Sequence, residues 1–422
     1  MDENVKRLYD KAGFGSYTGG VGLQAAIKQL VTPDPAPRSF EALTSHLDHT
    51  KDDSNGGKQA FRKQEREALI SLQHSWLRAM VTTKYPLQER MTLFWHNHFA
   101  TGFAKVKRAN LMARQNDLLY RHALGKLGPL LQAISTDAAM LIWLDGDDNT
   151  LKAPNENYAR EVMELFTLGV GHYAEHDIKE AARALTGWKV DKASGRVQFR
   201  SRLHDTGSKT IFQQTAAYDL DSFIELLLAH PRTAVFVTEK VLRAFYKLAP
   251  SADELEYFAR IYRQSDYDMA ALLSSLMRYD AFVADLPNRT LVRSPAEWMA
   301  STLRATDVNM KPQAASSFLK DSGQVLFDPP TVAGWEGGDA WLSTTTLLAR
   351  FRFAQVIGQN AKHPEGLSGS DLYTYWRDKL NLKLGHTSEA AILPYIKPKK
   401  PSPKQAASIL ALMIISPEYQ KG

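Results

Sequence analysis

Pro154-Asn-Glu-Asn-Tyr-Ala-Arg-Glu-Val-Met-Glu-Leu-Phe-Thr-Leu-Gly169 is the stretch that decides the fold class. Tyr158, Val162, Leu165 and Phe166 recur at steps of three and four, which lays one apolar stripe along a helix of period 3.6. Proline fits the first helical position, so Pro154 predicts the start, and Gly169 and Gly171 predict the stop. Asp177 with Glu180 three residues on reads as a capping box. It opens a second helix whose buried face is Ile178, Ala181, Leu185 and Trp188.

The same spacing continues outward in both directions. It predicts helices over 60–80, 87–99, 109–124 and 127–143, then over 220–229, 233–248, 252–262 and 269–279, after Pro295, and over 347–357, 371–380 and 404–415. An acidic turn, Asp145-Gly-Asp-Asp148, interrupts the first series. Only residues 189–212 change character: Val190, Val197 and Phe199 alternate with polar residues around Ala193-Ser-Gly195, the pattern of a hairpin. The expectation is a mainly α protein, a multi-helix bundle-like array with one short β-hairpin near residues 189–212. It forms a single large helical domain over 1–422, with a sub-boundary near 145–155 and a basic proline-rich connector, 397–403, before the C-terminal helix.

Composition narrows the class. Hydrophobic residues make up 44% and charged residues 23%, which excludes global disorder. No apolar run approaches the ~18 residues of a spanning helix, and Met1-Asp2-Glu3-Asn4 begins neither a basic nor an apolar leader region. Either the protein works in the cytoplasm or a leader has been removed ahead of Met1. The lack of cysteine excludes disulfides, thiolate metal sites and iron–sulfur clusters, and suits an oxidising compartment. The net charge is +6. Lys105, Lys107, Arg108, Arg114, Arg121 and Lys126 face the single acid Asp117 between Phe103 and Lys126, as a field for an anionic polymer or as a solvated helix face. No motif of specific nucleic-acid recognition accompanies them.

Further blocks stand out in order: Lys11-Ala-Gly-Phe-Gly15, Phe94-Trp-His-Asn-His-Phe99, the central Asn155–Gly169 run with Tyr173 and Glu180-Ala-Ala-Arg-Ala-Leu-Thr-Gly-Trp188, His204-Asp-Thr-Gly-Ser-Lys209, His230-Pro231, Gly323-Gln324, Phe327 to Trp335, Trp341 and Arg350. Together they resemble the bacterial domain-of-unknown-function 1800 (DUF1800) family from about residue 8 to the last helix. The resemblance implies a helical fold and often an exported protein, frequently encoded beside proteins resembling alkaline phosphatases and sulfatases. It implies no catalytic residue. One departure is Phe212-Gln-Gln-Thr-Ala-Ala217, where the family pattern has a glycine-containing turn.

Several residues are candidates for chemistry. Asn157, Glu161 and Glu164 fall on one helical stripe at the edge of the apolar face, where shielding separates the pKa values of two carboxylates. The structural alternative pairs Arg160 with Glu164 and ties Glu161 to Arg183; Glu180 is absorbed by the capping box. His96 and His98 point roughly 200° apart on a helix, so both can ligate one metal only if the helix ends between them; otherwise one of them, joined by His204, Asp205 and a glutamate, makes the metal site. His204 and Asp205 lie in a glycine-containing loop with Lys209, suited to acid/base work on an anionic group or to a plain Asx turn. Trp188, Trp335 and Trp341 stand beside glycine-rich turns, as sugar platforms or as core. No G-x-S-x-G elbow, P-loop or dinucleotide fingerprint is present.

The expectation for function is therefore a periplasmic or secreted hydrolase or processing enzyme acting on a polysaccharide, including an acidic one. Glu161, Glu164, His204 and Asp205 would be catalytic; Asn157, Arg160, Arg183, Trp188, Lys209 and Trp335 would bind substrate. Its alternatives are a non-catalytic cell-surface binding or scaffold protein, and a metal-dependent enzyme using His96 or His98. A cytoplasmic location is the alternative address. The cofactor stays unknown; the partner is a glycan or other anionic polymer.

Overall fold

The computed structural model describes residues 3–15, 17, 19–44, 55–192 and 194–422. Among them it has 21 α-helices and two small antiparallel sheets of two strands each. Helices appear where the apolar spacing marks them, among them Pro86–His98, Ala109–His122, Leu220–Ala229, Met269–Arg278, Pro295–Thr306 and Pro403–Ile415. The helices Glu3–Gly13, Leu23–Val31, Pro312–Asp321 and His386–Ile396 were not marked by it.

Boundaries moved where side chains compete for backbone groups. The stretch 127–143 is two helices, Leu127–Ser135 and Ala138–Trp143, because Ser135 and Thr136 hydroxyls turn back onto the Leu131 and Gln132 carbonyls. Asp137 then caps the second helix, accepting from Met140 N at 2.9 Å. The central helix begins at Asn157 rather than Pro154. Asn149 Oδ1 takes the Asn155 N–H and Asn155 Oδ1 takes the Asn157 N–H, which holds the lead-in extended. The next helix, Glu175–Ala184, starts earlier than expected, with Asp177 in its first turn accepting from Ala174 N at 2.8 Å. Glu180 is thereby released from capping.

The hairpin forms as expected. β1 (Trp188–Asp191) pairs with β2 (Arg196–Phe199), Trp188 opposite Phe199. Ala193 of its turn lies outside the described residues, as do Ser16 and Thr18 after the N-terminal glycine turn and Met1 and Asp2. A second hairpin, β3 (Lys209–Ile211) with β4 (Gln214–Ala216), turns through Phe212 and Gln213 at φ 48° and 62°. Both turn residues are left-handed without glycine, the geometry of a tight primed turn, so the usual turn signal is missing from the sequence.

Two hydrophobic clusters organise the helices. One gathers Val5 to Leu30, Leu87 to Phe99 and Leu119 to Leu286; the other joins Leu69 to Met80, Leu111 to Ala113 and Ala296 to Tyr419. Three helices belong to both, among them Ala138–Trp143, with Met140 in the first and Ala138 and Ala139 in the second. Pro86–His98 gives Leu87, Met91 and Trp95 to the first and Leu93 to the second, and Ala109–His122 divides likewise between Leu119 and Leu111. Within the second cluster the helix Thr344–Asn360 lies against Pro403–Ile415 so closely that a Cβ on Gly358 would stand 2.4 Å from the Ala407 carbonyl.

Gly358→Ala is expected to cost about 1–3 kcal/mol, because backbone rather than a pliable side chain must move. Gly22→Ala, with nothing within 4 Å, should cost less, under about 1 kcal/mol, since only the N-cap preference for glycine over alanine is lost. Urea denaturation of the two variants checks the contrast.

Candidate functional site

The shared helix Pro86–His98 ends in Phe94-Trp-His-Asn-His-Phe99, and its two histidines point into opposite clusters. His96 sits among Trp76, Phe327 and Trp335, with ring centroids 5.1, 5.4 and 5.6 Å away. Its Nε2 accepts the Phe327 N–H at 3.0 Å, which puts the ring proton on Nδ1. Phe327 itself has φ 67°, a strained value for an aromatic residue, held by this bond and by Phe103 N–H donating to the Phe327 carbonyl at 2.9 Å. Asn97 grips the same loop further on. Its Oδ1 accepts Trp335 N–H at 2.7 Å, and Gly334, at φ +83°, leaves room that a Cβ would fill 2.2 Å from that oxygen. The glycine-rich loop is thus pinned to the helix end, and Trp335 is fixed in place.

His98 faces the other way, with the opposite tautomer. Its Nε2–H donates to the Phe166 carbonyl at 3.0 Å, leaving Nδ1 to accept from Lys240 Nζ at 3.3 Å. Lys240 also donates to the Leu165 carbonyl at 2.9 Å, and Arg232 Nε to the Leu168 carbonyl at 3.1 Å. The carbonyls are free because the central helix widens into a π-helix over Val162–Thr167, and its terminal acceptors need outside donors. Burial pushes His96 down to about 3 and His98 well below its ordinary range, so both rings are neutral. Burial also lowers Lys240 to about 8, against the opposing pull of Glu239.

Between the two clusters lies a cavity of about 550 Å³. His98, Lys240, Asn97 and Trp335 line it, together with Lys11, Arg90, Arg243, Arg293, Ser294, Glu297, Ser301, Gln324 and Trp341. Its cations divide into two groups. Arg90 is paired with Glu297, which also caps its own helix by accepting from Ser294 N, and Arg243 is paired with Glu239 at 2.8 Å. Among the described residues Lys11, Lys240 and Arg293 form no salt bridge: Asp285 and Glu239 act on Lys11 and Lys240 only from beyond ion-pair distance, and of the other acids in the lining, Asp10 and Glu336, Asp10 is bound by Arg289. Lys11 is buried and its Nζ has no hydrogen-bond partner; burial lowers it to about 8. Arg293 is 5% exposed, and among the described residues its side chain bonds the Tyr419 carbonyl, at 3.5 Å, and lies over that ring, 4.9 Å from its centroid. Arg350 holds it from behind: fully buried, it donates to the Arg293 carbonyl at 2.8 Å and to Gln420 Oε1 at 2.6 Å.

Of the residues expected from the sequence, Trp335 and His98 reach this cavity and His96 supports Trp335 from outside it. Among the described residues no three His, Asp or Glu side chains converge as ligands, and both histidines use ring nitrogens on backbone or Lys240. Glu161, Glu164, Asn157, Arg160, Arg183, Trp188, His204, Asp205 and Lys209 do not line the cavity.

Those residues form two polar groups of their own. In one, Glu164 accepts from Tyr173 Oη at 2.5 Å, Asn157 Nδ2 donates to Asp145 at 3.1 Å, and Arg160 is held by both oxygens of Glu175 at 2.8 Å rather than by Glu164. Glu161 is half-buried and its carboxylate has no hydrogen-bond partner among the described residues; burial and the Glu164 charge raise its pKa. In the other, Arg183 bridges Asp205 at 2.7 Å and Glu180 at 2.9 Å rather than reaching Glu161. Lys209 donates to the Asp205 and Gly207 carbonyls, and His204 Nδ1 faces the Thr186 carbonyl at 2.9 Å. Arg183 hydrogen bonding holds Asp205 below its ordinary range, as in an ion pair that fastens a loop. Trp188 packs on Phe199.

Sequence reasoning missed Lys11, Arg90, Lys240 and Arg293 as site residues. Lys11 was visible inside a quoted block, but nothing in the spacing marked it as facing Arg293 across the fold. The basic segment that did draw notice is largely neutralised: Lys105, Arg108, Arg114 and Lys126 pair with Asp145, Glu65, Glu41 and Asp266.

A family model described as "Protein of unknown function (DUF1800)" matches residues 7–421. No curated protein and no solved structure matches the chain.

Two neutral buried histidines give the stability a pH dependence of defined sign. Their folded pKa values lie below the ordinary 6.5, so the unfolded chain takes up protons first, and stability declines as pH falls from about 6.5 toward 3. Above about 6.5 these groups contribute no slope. His96→Gln, which keeps an acceptor for Phe327 N–H but cannot ionise, is expected to flatten the fall in urea midpoint between pH 7 and 5. An unchanged slope would show that His96 ionises freely in the fold.

Proposed function

We propose, from the premise that the chain belongs to the DUF1800 family over nearly its whole length, that it binds an acidic saccharide in the cavity between its two cores and works outside the cytoplasm. One observation carries this: Lys11, Lys240 and Arg293 line a single cavity, and among the described residues none of them forms a salt bridge. A desolvated cation without a counter-charge is costly, so an entering carboxylate or sulfate is stabilised by all three.

The remaining lining supports a polyhydroxylated ligand. Asn97, Ser294, Ser301 and Gln324 are amide and hydroxyl groups that exchange hydrogen bonds with hydroxyls, and Trp335 and Trp341 give the wall an apolar part. These indoles are only 6% and 7% exposed, which leaves no open face for a stacked nucleobase. A chain without cysteine suits an oxidising exterior.

A second reading, a hydrolase or other polysaccharide-processing enzyme, is favoured by Glu161. Its raised pKa, caused by burial and then by Glu164, is the property a general acid needs. It uses residues outside the cavity and is separable from the binding reading by substitution.

Oligogalacturonate is expected to raise the melting temperature in proportion to ln(1 + [L]/Kd), while neutral oligosaccharides of equal length leave it unchanged. The shift should vanish in Arg293→Met; equal shifts with neutral and acidic sugars would defeat the proposal. Binding should be strongest below pH 8 and weaken above it, since Lys11 and Lys240, both lowered to about 8 by burial, lose their charges there. For the second reading, Glu161→Gln should abolish release of reducing ends from an acidic polysaccharide without changing the melting temperature. Retained turnover, or loss of folding, removes Glu161 as the acid.

A further inference from the structure

A second cavity, of about 360 Å³, shares Asp10, Arg293 and Ser301 with the first. The helix Pro295–Thr306 runs beneath both: Glu297 and Ser301 face the first, Ser301 and Arg304 the second. These three residues are spaced i, i+4 and i+7, so they form one stripe that advances roughly 10 Å at 1.5 Å per residue. The stripe is a path, and Arg293 stands at its middle.

The second cavity repeats the charge imbalance of the first. Arg304 donates to the Met80 and Thr83 carbonyls at 3.0 and 3.2 Å; among the described residues it forms no salt bridge and its Nε has no partner. Lys6 and Lys379 stand beside it. The acids there are engaged elsewhere: Asp10 is bound by Arg289 at 2.7 Å and by Asn381, and Asp378 by Arg377 at 2.9 Å. Ser301, at the junction, has no hydrogen-bond partner for its hydroxyl among the described residues and is available to a ligand hydroxyl.

We propose that the ligand is a chain rather than a single sugar: an acidic oligosaccharide lying across both cavities, one charged unit on Arg293 and the next on Arg304. This rests on the binding reading above and adds its length. Two linked charges that reach two cationic cavities bind with the second encounter made intramolecular, so affinity grows steeply once the chain spans both and not before.

The test is calorimetric titration of the full chain with galacturonate and with its tetramer. The tetramer should bind at least tenfold more tightly than the monomer. Arg304→Gln should remove that advantage and leave monomer affinity within twofold. Lys379→Gln, an exposed change that spares the core, should give a smaller loss confined to the tetramer. Equal affinity for monomer and tetramer, or equal loss of both in Arg304→Gln, overturns the proposal while leaving the binding reading standing. No binding of either length removes the binding reading and this one with it. A single-stranded oligothymidylate of equal charge binding as tightly as the tetramer would assign the path to nucleic acid and overturn the saccharide.

Discussion

The end of the helix Pro86–His98 is where two hydrophobic clusters meet, and it is held by two uncharged imidazoles. An imidazole presents one donor and one acceptor when neutral, and here each ring satisfies a backbone group of a different core: Phe327 N–H for His96, the Phe166 carbonyl for His98. Burial keeps both rings neutral. Had either carried charge, a buried cation would stand on the seam and the newly protonated nitrogen would meet a donor, the Phe327 N–H at His96 or the Lys240 ammonium at His98. The two clusters are therefore joined by hydrogen bonds whose directions depend on protonation, as well as by apolar contact.

The π-helix follows from the same place. A widened turn leaves carbonyls at Leu165, Phe166 and Leu168 without partners in their own helix, and Lys240, His98 and Arg232 supply them. Two of these donors, Lys240 and His98, also line the cavity. The central run of the sequence is thus coupled to the cavity without lining it: its backbone sets where the Lys240 ammonium stands, and its carboxylates Glu161 and Glu164 face a separate polar group with Tyr173.

Charge in this molecule is sorted by pairing rather than by density. The conspicuous basic segment around Arg108 and Arg114 meets carboxylates and is nearly quiet. The cations that matter electrostatically are scattered along the chain at Lys11, Lys240, Arg293 and Arg304, and become a group only in the fold. Arg350 shows how such a group is kept in place, since it lies under Trp298 and fixes the backbone of Arg293. Low local dielectric makes a cation so placed far stronger than the same cation on a surface helix.

Periodicity alone located most of the helices, though not Glu3–Gly13, Leu23–Val31, Pro312–Asp321 or His386–Ile396, because a 3.6-residue repeat of apolar side chains such as Tyr158, Val162 and Phe166 is local information. It also located the hairpin at Trp188–Phe199 and the ordered blocks by which the family is recognised. It misplaced ends where Asn155, Asp137 and Asp177 take backbone N–H groups, since capping depends on rotamers that spacing does not encode. The site was legible only in pieces: Lys11, Asn97, His98 and Trp335 each lay in a noticed block, while Arg90, Lys240, Arg293 and Arg304 carried no mark. Tertiary structure decided that these residues share cavities and that Arg183, Glu180 and Asp205 fasten a loop to its helix. The reason is that pairing and burial, which set the energy of a charge, are properties of distance in space, and a sequence specifies only distance along the chain.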